Sequence, residues 1–284
     1  MGAYPVMKFP NGLERAVTLS YDDGVQQDRK FMEIIDRHGL KCTFNINSGL
    51  FAPEGKVYRE GTIHRRMSES ECLELYKNSG HEVAVHALTH PRLERIPQPA
   101  VACEIIEDRK NLEQLFGGVV RGMAYPFGTY NDMVVDTLKT CGIAYARTTK
   151  ITNSFDIPTD WLRLDPTCKH CDPALPELQK LIDKFLGDRL FESRPWLFYM
   201  WGHTYEFERD NNWEDIEIIA ERLGGKDNVW YATNIEVYDY VEAYRSLLWS
   251  ADSNRVYNPS AKKIWFSCGK TLYSVEPGET LDIS

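Results

Sequence analysis

Two short sequences in the N-terminal half of the chain contain residue types that commonly bind divalent metals. Tyr21–Asp22–Asp23–Gly24 places two carboxylates side by side, and His86–Ala87–Leu88–Thr89–His90 places two imidazoles four residues apart. Adjacent carboxylates repel each other, so holding both ionised requires a nearby cation. One aspartate and two histidines form a donor set that suits a divalent metal and leaves positions open for water and substrate. The second carboxylate is then available as a general base.

Each motif has a purely structural alternative when it is taken alone. Asp–Gly is a common turn pair, and two histidines four residues apart can be unrelated. Both imidazoles can meet one ion only if the intervening segment is helical or tightly turned. Because both motifs follow predicted strands at the same end of a sheet, their combination favours a metal site.

Two later segments place further polar groups at strand ends. The apolar stretch Trp196–Gly202 predicts a strand buried on both faces, and His203 follows it directly. That histidine is suited to act as a general acid, or is a hydrogen-bonded core residue. The sequence Ala124–Tyr125–Pro126–Phe127–Gly128 follows another strand. Its backbone amides could stabilise an oxyanion, or the segment is an ordinary turn.

Short apolar strands alternate with amphipathic helices along most of the chain, which indicates an α/β protein. Strands are predicted at 15–21, 41–47, 82–86, 119–125, 144–148, 162–167, 196–202 and 229–232, and helices at 26–38, from 68, and at 99–116, 131–141, 173–186, 213–223 and 234–249. Seven or eight strand–helix units are enough to close a barrel of parallel strands. We therefore predict a (β/α) barrel over residues 1–250 and a small β extension over residues 251–284.

The composition of the chain argues against some classes of binding partner. The formal charge of −9 over 284 residues argues against binding to nucleic acid or to anionic membranes. No apolar run approaches the roughly 18 residues that a membrane span requires. The seven cysteines are odd in number and scattered, and the N-terminal residues form no apolar leader. We therefore expect a cytoplasmic protein in a reducing compartment.

The order of these motifs resembles that of the polysaccharide deacetylases of the NodB-homology type, the fourth carbohydrate esterase family. The matching sequences are Thr18–Leu19–Ser20–Tyr21–Asp22–Asp23–Gly24, His86–Ala87–Leu88–Thr89–His90, Tyr125–Pro126–Phe127–Gly128 and Trp201–Gly202–His203. The resemblance implies a distorted (β/α) barrel with Zn²⁺ as cofactor, Co²⁺ or Ni²⁺ being suited to the same donors. It also implies these roles: Asp23, His86 and His90 as metal ligands, Asp22 as general base, His203 as general acid, and the Phe127 amide in oxyanion binding.

The chain departs from the family pattern at two places. The arginine that usually opens the third motif and pairs with the base is replaced by Ala124, and Arg121 or Arg147 could supply that charge instead. The fourth motif is only loosely matched, so the partner that orients the general acid is left between Asp160 and Asp165.

A Cys-x-x-Cys sequence lies outside the family motifs. Cys168–Lys169–His170–Cys171 has no second pair elsewhere in the chain, whereas a structural zinc site normally has four ligands. We therefore do not predict a structural zinc site from it, although His170 could contribute to the rim of the cleft.

The function predicted from the motifs is metal-dependent removal of acetyl groups from an N- or O-acetylated saccharide. Three alternatives stay open. They are a hydrolase of a non-sugar amide or cyclic ureide on the same scaffold, a non-catalytic carbohydrate-binding descendant, and a glycosidase, which would need paired carboxylates on different strands and no metal. Acetate release compared with ring opening separates the first alternative from the main prediction.

Overall fold

A computed structural model describes residues 4–188 and 194–283. Within these residues the strands are β1 Pro5–Lys8, β2 Arg15–Asp22, β3 Cys42–Ile46, β4 Glu82–Val85, β5 Gly122–Ala124, β6 Tyr145–Arg147, β7 Cys168–Lys169, β8 Trp196–Gly202, β9 Val229–Tyr231, β10 Leu248–Trp249, β11 Arg255–Tyr257, β12 Ile264–Cys268, β13 Thr271–Val275 and β14 Thr280–Asp282. The helices are α1 Asp28–Arg37, α2 Glu69–Tyr76, α3 Gln98–Phe116, α4 Asp132–Thr140, α5 Leu175–Leu186, α6 Tyr205–Arg209, α7 Trp213–Leu223 and α8 Asn234–Arg245.

Eight parallel strands form the central sheet in the order β6-β5-β4-β3-β2-β8-β7, with β9 also paired to β2. On one side seven of the eight residues of β2 pair with β8, and on the other side β2 pairs first with β9 and then with β3. The edges of the sheet are linked by the segment before β7, in which Leu164 N donates to Ala146 O at 3.0 Å and Thr167 N donates to Tyr199 O at 2.9 Å. The predicted distorted (β/α) barrel is therefore confirmed.

Burial explains why β2 lies at the centre of this sheet. All eight residues of β2 are buried, and so are six of the seven residues of β8. Strands covered on both faces are typical of parallel sheets. Helix α1 covers the sheet with Phe31, Ile34 and Ile35, which recur at helical spacing. The carboxyl ends of β2 and β8, which carry Asp22, Asp23 and His203, are thus held by buried strands.

Two predicted elements are wrong. The strand predicted at 162–167 is instead a 3₁₀ turn, Trp161–Arg163, followed by an irregular segment. The Asp160 side chain accepts a hydrogen bond from Leu162 N at 3.1 Å, and this local cap favours the turn over an extended chain. The last predicted helix ends at Arg245, and Leu248–Trp249 leaves it to pair with β11.

The C-terminal strands form two small antiparallel sheets, β1-β12-β13 and β10-β11-β14. Phe9, Tyr240, Val256 and Phe266 belong to the buried cluster beneath them, which joins these sheets to α8. The first sheet therefore includes an N-terminal strand, and the second includes a strand that precedes residue 250. The division of the chain into 1–250 and 251–284 stays a prediction. Among the helices of the described ranges, none has the length and hydropathy to cross a membrane.

Candidate active site

Asp23, His86 and His90 meet at the carboxyl ends of β2 and β4. Their donor atoms all lie within 4.8 Å of one another. The segment after β4 is a tight turn rather than a helix, because Ala87 and His90 adopt positive φ angles of 61° and 57°. This turn brings the centroids of the two imidazole rings to 4.7 Å. The two motifs are thus close enough for one ion to contact all three side chains.

Hydrogen bonding and burial prepare the two histidines for metal binding. His86 Nδ1 lies 2.8 Å from Ala124 O, so the other ring nitrogen carries the free lone pair when Nδ1 is the donor. Burial lowers the pKa of His86, and it lowers the pKa of His90 to about 4. Both rings are therefore neutral near pH 7, which is the form that binds metals.

Two polar residues that the motifs do not reveal hold the histidine turn in place. The buried carboxylate of Asp108 in α3 accepts hydrogen bonds from His86 N at 3.1 Å and Ser48 N at 2.7 Å. The Asn47 amide donates to the carbonyl oxygens of His86 and Ala87. In the sequence of α3, Asp108 lies on the same helical face as the apolar residues Val101, Ile105 and Leu112. This polar residue on an apolar face is the one sequence signal for Asp108.

The Asp23 carboxylate is contacted by the loop that precedes α2. Arg66 Nη2 lies 2.9 Å from Asp23 Oδ1, and His64 Nε2 lies 3.2 Å from Asp23 Oδ2. Burial favours the neutral acid, but the hydrogen bond from His64 and the charge of Arg66 outweigh it and hold the pKa of Asp23 well below its usual range. One ionised carboxylate and two neutral imidazoles fit Zn²⁺ or a similar ion.

Asp22 in β2 is held by an arginine from β6, which lies four strands away in the order of the sheet. Both carboxylate oxygens of Asp22 contact Arg147 Nη2, and the Arg147 side chain is fully buried. Asn45 Nδ2 donates to Asp22 Oδ1 at 2.9 Å. Although burial opposes ionisation, the charges of Arg147 and His203 lower the pKa of Asp22. Arg121 does not take this position, because it pairs with Asp239 at 2.8 Å.

His203 emerges from β8 between two carboxylates. Its Nε2 lies 3.7 Å from Asp22 Oδ2, and its Nδ1 lies 3.5 Å from Glu206 Oε2. Burial alone would lower the pKa of His203, but Glu206 and the aspartates outweigh it and raise that pKa above its ordinary value. The other oxygen of Glu206 accepts a hydrogen bond from Lys169 Nζ at 2.8 Å.

The expectation that Asp160 or Asp165 orients His203 is wrong. Asp160 contacts Arg163 at 2.7 Å, and Asp165 accepts a hydrogen bond from Thr148 at 2.5 Å. Glu206 is the carboxylate beside His203, and it lies only three residues further along the chain. The sequence signal was the His-x-x-Glu spacing, which places both side chains on one face where a helix begins.

Phe127 lies beside the metal-ligand cluster. Its ring centroid is 4.6 Å from that of His90, and its backbone adopts a φ of 59°. The side chain is 51% exposed, and the guanidinium of Arg92 lies over its ring at 4.3 Å. The structure thus brings the side chains of Asp22, Asp23, His86, His90, Phe127 and His203 into one cluster, while their individual catalytic roles stay predictions.

A curled parallel sheet with a polar cluster at the carboxyl ends of its strands defines a (β/α)-barrel protein. Residues 10–146 match the family model described as polysaccharide deacetylase. The resemblance inferred from the motifs is therefore confirmed for this part of the chain, which is similar to the polysaccharide deacetylases. The matched segment includes Asp22, His86, His90 and Phe127 but ends before Arg147 and His203.

Solved structures share the fold at low sequence identity. A family 4 carbohydrate esterase from Streptomyces lividans, in complex with acetate, has a TM-score of 0.51 and 16% identity over 78% of this chain and 93% of that chain. A mutant of a Bacillus anthracis pseudoenzyme of the same family, with restored enzymatic activity, has a TM-score of 0.50 and 16% identity over 82% of this chain and 70% of that chain.

A Streptococcus pyogenes deacetylase in complex with acetate has a TM-score of 0.45 and 19% identity. The similarity covers 51% of this chain and 61% of the length of that deacetylase. No curated protein sequence matches the chain.

Proposed function

We propose that the protein is a metal-dependent hydrolase that removes acetyl groups from an N- or O-acetylated saccharide. The observation that carries this proposal is the arrangement around Asp22. This carboxylate lies beside the Asp23–His86–His90 donor set on one side and within 3.7 Å of His203 on the other. A base, an acid and a candidate metal centre thus face one space.

The local electrostatics support one role for each group. A divalent metal held by Asp23, His86 and His90 would polarise an acetyl carbonyl and acidify a water molecule. Asp22, kept ionised by Arg147, is suited to accept the proton from that water. His203, whose pKa is raised, is suited to donate a proton to the leaving nitrogen or oxygen. We assign the Phe127 backbone amide to binding of the developing oxyanion.

The structure weakens the main argument for a different substrate class. A non-sugar amide or cyclic ureide was suggested by the loss of the third-motif arginine, but Arg147 supplies the same charge to Asp22. A non-catalytic role would be supported by loss of a ligand or of the base. Asp22, Asp23, His86, His90 and His203 are all present.

The test is acetate release from a panel of N- and O-acetylated sugars, with and without a chelator. We expect release that chelation abolishes and added Zn²⁺ or Co²⁺ restores. The His86→Ala variant should lose the activity and the metal bound by Asp23, His86 and His90, because it lacks one of these three ligands. Ring opening of a cyclic ureide without any acetate release would favour the alternative substrate class. Full metal occupancy in His86→Ala would remove His86 from the ligand set.

A further inference from the structure

A second group of metal-binding side chains lies next to the proton-transfer groups. His170, Cys171 and Glu206 each offer one donor atom, and these atoms lie within 4.8 Å of one another. Nitrogen, sulfur and oxygen donors together are the ligands that Zn²⁺ and Co²⁺ accept. We propose that this triad is a second, exchangeable site for a divalent cation of that class, and that its occupation withdraws Glu206 from His203.

His170 and Cys171 are carried by a rigid turn. Lys169 N donates to Asp172 O at 3.0 Å and Asp172 N donates to Lys169 O at 3.2 Å, which closes a four-residue turn with the two ligands at its tip. The backbone N–H of His170 also donates to Trp201 O at 3.0 Å. Two of the three ligands therefore have a fixed backbone before any ion binds, which reduces the entropic cost of binding.

The imidazole of His170 is held in the orientation that a ligand needs. Its ring stacks parallel to Tyr21 with centroids 5.7 Å apart and contacts Phe207 at 4.2 Å. Nδ1 has no hydrogen-bond partner among the described residues, and it packs so closely against Gly202 that a Cβ there would lie 1.9 Å from it. Nε2 is thus the nitrogen left for an ion, and it lies 3.4 Å from Glu206 Oε2.

These distances suit one cation with an open coordination position. Two ligand atoms of a tetrahedral zinc site lie about 3.3–3.7 Å apart, which the His170–Glu206 separation already satisfies. Cys171 is exposed, so its side chain can rotate to complete the set, and the ion can exchange with solvent. Three protein ligands leave a fourth position for water, whereas structural zinc sites normally have four protein ligands.

Occupation of this site would act on catalysis through Glu206, a consequence that rests on the proposed function. Glu206 Oε2 faces both His170 and His203, at 3.4 and 3.5 Å. A cation drawing on that oxygen removes negative charge from the environment of His203. Lys169 binds the other oxygen of Glu206 and repels a cation nearby, so Lys169→Met should tighten binding of the second ion.

The test is a Co²⁺ titration of the metal-stripped full-length protein, because a thiolate ligand gives a charge-transfer band that histidine and carboxylate ligands do not. We expect two bound equivalents and a thiolate band in the wild type. Cys171→Ser should lose the band and one equivalent, whereas Cys103→Ser, which removes another exposed cysteine, should keep both. A wild type without the band, or a band that survives in Cys171→Ser, overturns the site.

The two metal sites can be separated in the same titration. His86→Ala should lose the other equivalent and keep the thiolate band, so the second site is tested even if no acetate release is found. With an active enzyme, excess Co²⁺ should inhibit the wild type and spare Cys171→Ser, whose activity without excess metal should be unchanged. Equal inhibition of both proteins would overturn the link to Glu206.

Discussion

The metal-ligand half of the cleft and its proton-transfer half differ in how their residues are held. The ligands Asp23, His86 and His90 lie in short motifs, and the residues that contact them lie 22 to 43 residues away along the chain. The proton-transfer residues Asp22 and His203 depend on charged partners, and the partner of Asp22 lies 125 residues away. The ligands can be predicted from the motifs, whereas the partner of Asp22 depends on how the strands are aligned.

The pairing of β5 with β6 explains how Arg147 can contact Asp22 although the usual position of the arginine is occupied by Ala124. Ala124 and Arg147 are direct register partners in this parallel pair. The resemblance to the family places the arginine at the position of Ala124, and Arg147 reaches Asp22 from the adjacent strand instead. An arginine on either β5 or β6 can therefore reach Asp22, provided that the register of the two strands is fixed. Asp22 is paired with Arg147 although the third motif contains no arginine.

The strongest test of the comparison is Asp22→Asn, which should impair one half of the cleft and leave the other intact. An amide cannot accept a proton from water, so we expect kcat to fall by about 10²–10⁴-fold. Metal content should stay at the wild-type level, because Asp23, His86 and His90 are unchanged. Steady-state acetate release and metal analysis measure the two effects. A variant that loses its metal as well would place Asp22 among the ligands.

Arg147→Met tests whether the displaced arginine is required by Asp22. Removing one member of a buried ion pair should destabilise the fold by about 3–5 kcal/mol, because the other charge is left uncompensated. Urea denaturation measures this, and the double variant with Asp22→Asn should recover part of the loss. Arg121→Met is the matched control, with an expected cost of about 0–1 kcal/mol because its ion pair is partly exposed.

The pH dependence of this loss has a defined sign. The pKa of Asp22 is lowered from 3.8 in the folded state, so its ion pair stabilises the protein above that pH. The stabilisation is lost as the pH falls through the lower folded-state pKa. The difference between Arg147→Met and the wild type should therefore shrink in acid. A difference that stays constant between neutral and acidic pH would show that packing, rather than charge, accounts for the loss.

The sequence alone predicted the strand–helix alternation and the ligand, base and acid candidates of the site. It did not predict the residues that hold them, such as Asp108, Asn47 and Glu206. Each strand-end motif was ambiguous by itself, and the prediction rested on their combination at the same end of the sheet. Glu206 was missed because it lies in a helix of five residues, too short for a periodic pattern. The partner of Asp22 was left open because register between strands is set by packing across the sheet, which a single chain sequence does not display.

We expect the smallest effect from Glu206→Gln. This variant changes the partner of His203 and leaves the proposed acid itself in place. His203→Ala removes the acid and should lower kcat by about 10²–10⁴-fold, and Glu206→Gln should lose less because the imidazole remains. With Glu206 present, the pKa of His203 is raised, so the donor stays protonated to higher pH. Activity is lost as the pH rises through that value.

Without the Glu206 charge, burial lowers the pKa of His203, so the alkaline limb of the kcat–pH profile should move to lower pH. At more acidic pH the variant and the wild type should converge, since His203 is then protonated in both. Asp165→Asn is the control and should leave the profile unchanged, because Asp165 contacts Thr148 instead. An activated ester needs little protonation of its leaving group, so it should show a smaller difference. Equal loss at every pH and on both substrates would mean that Glu206 only orients the imidazole.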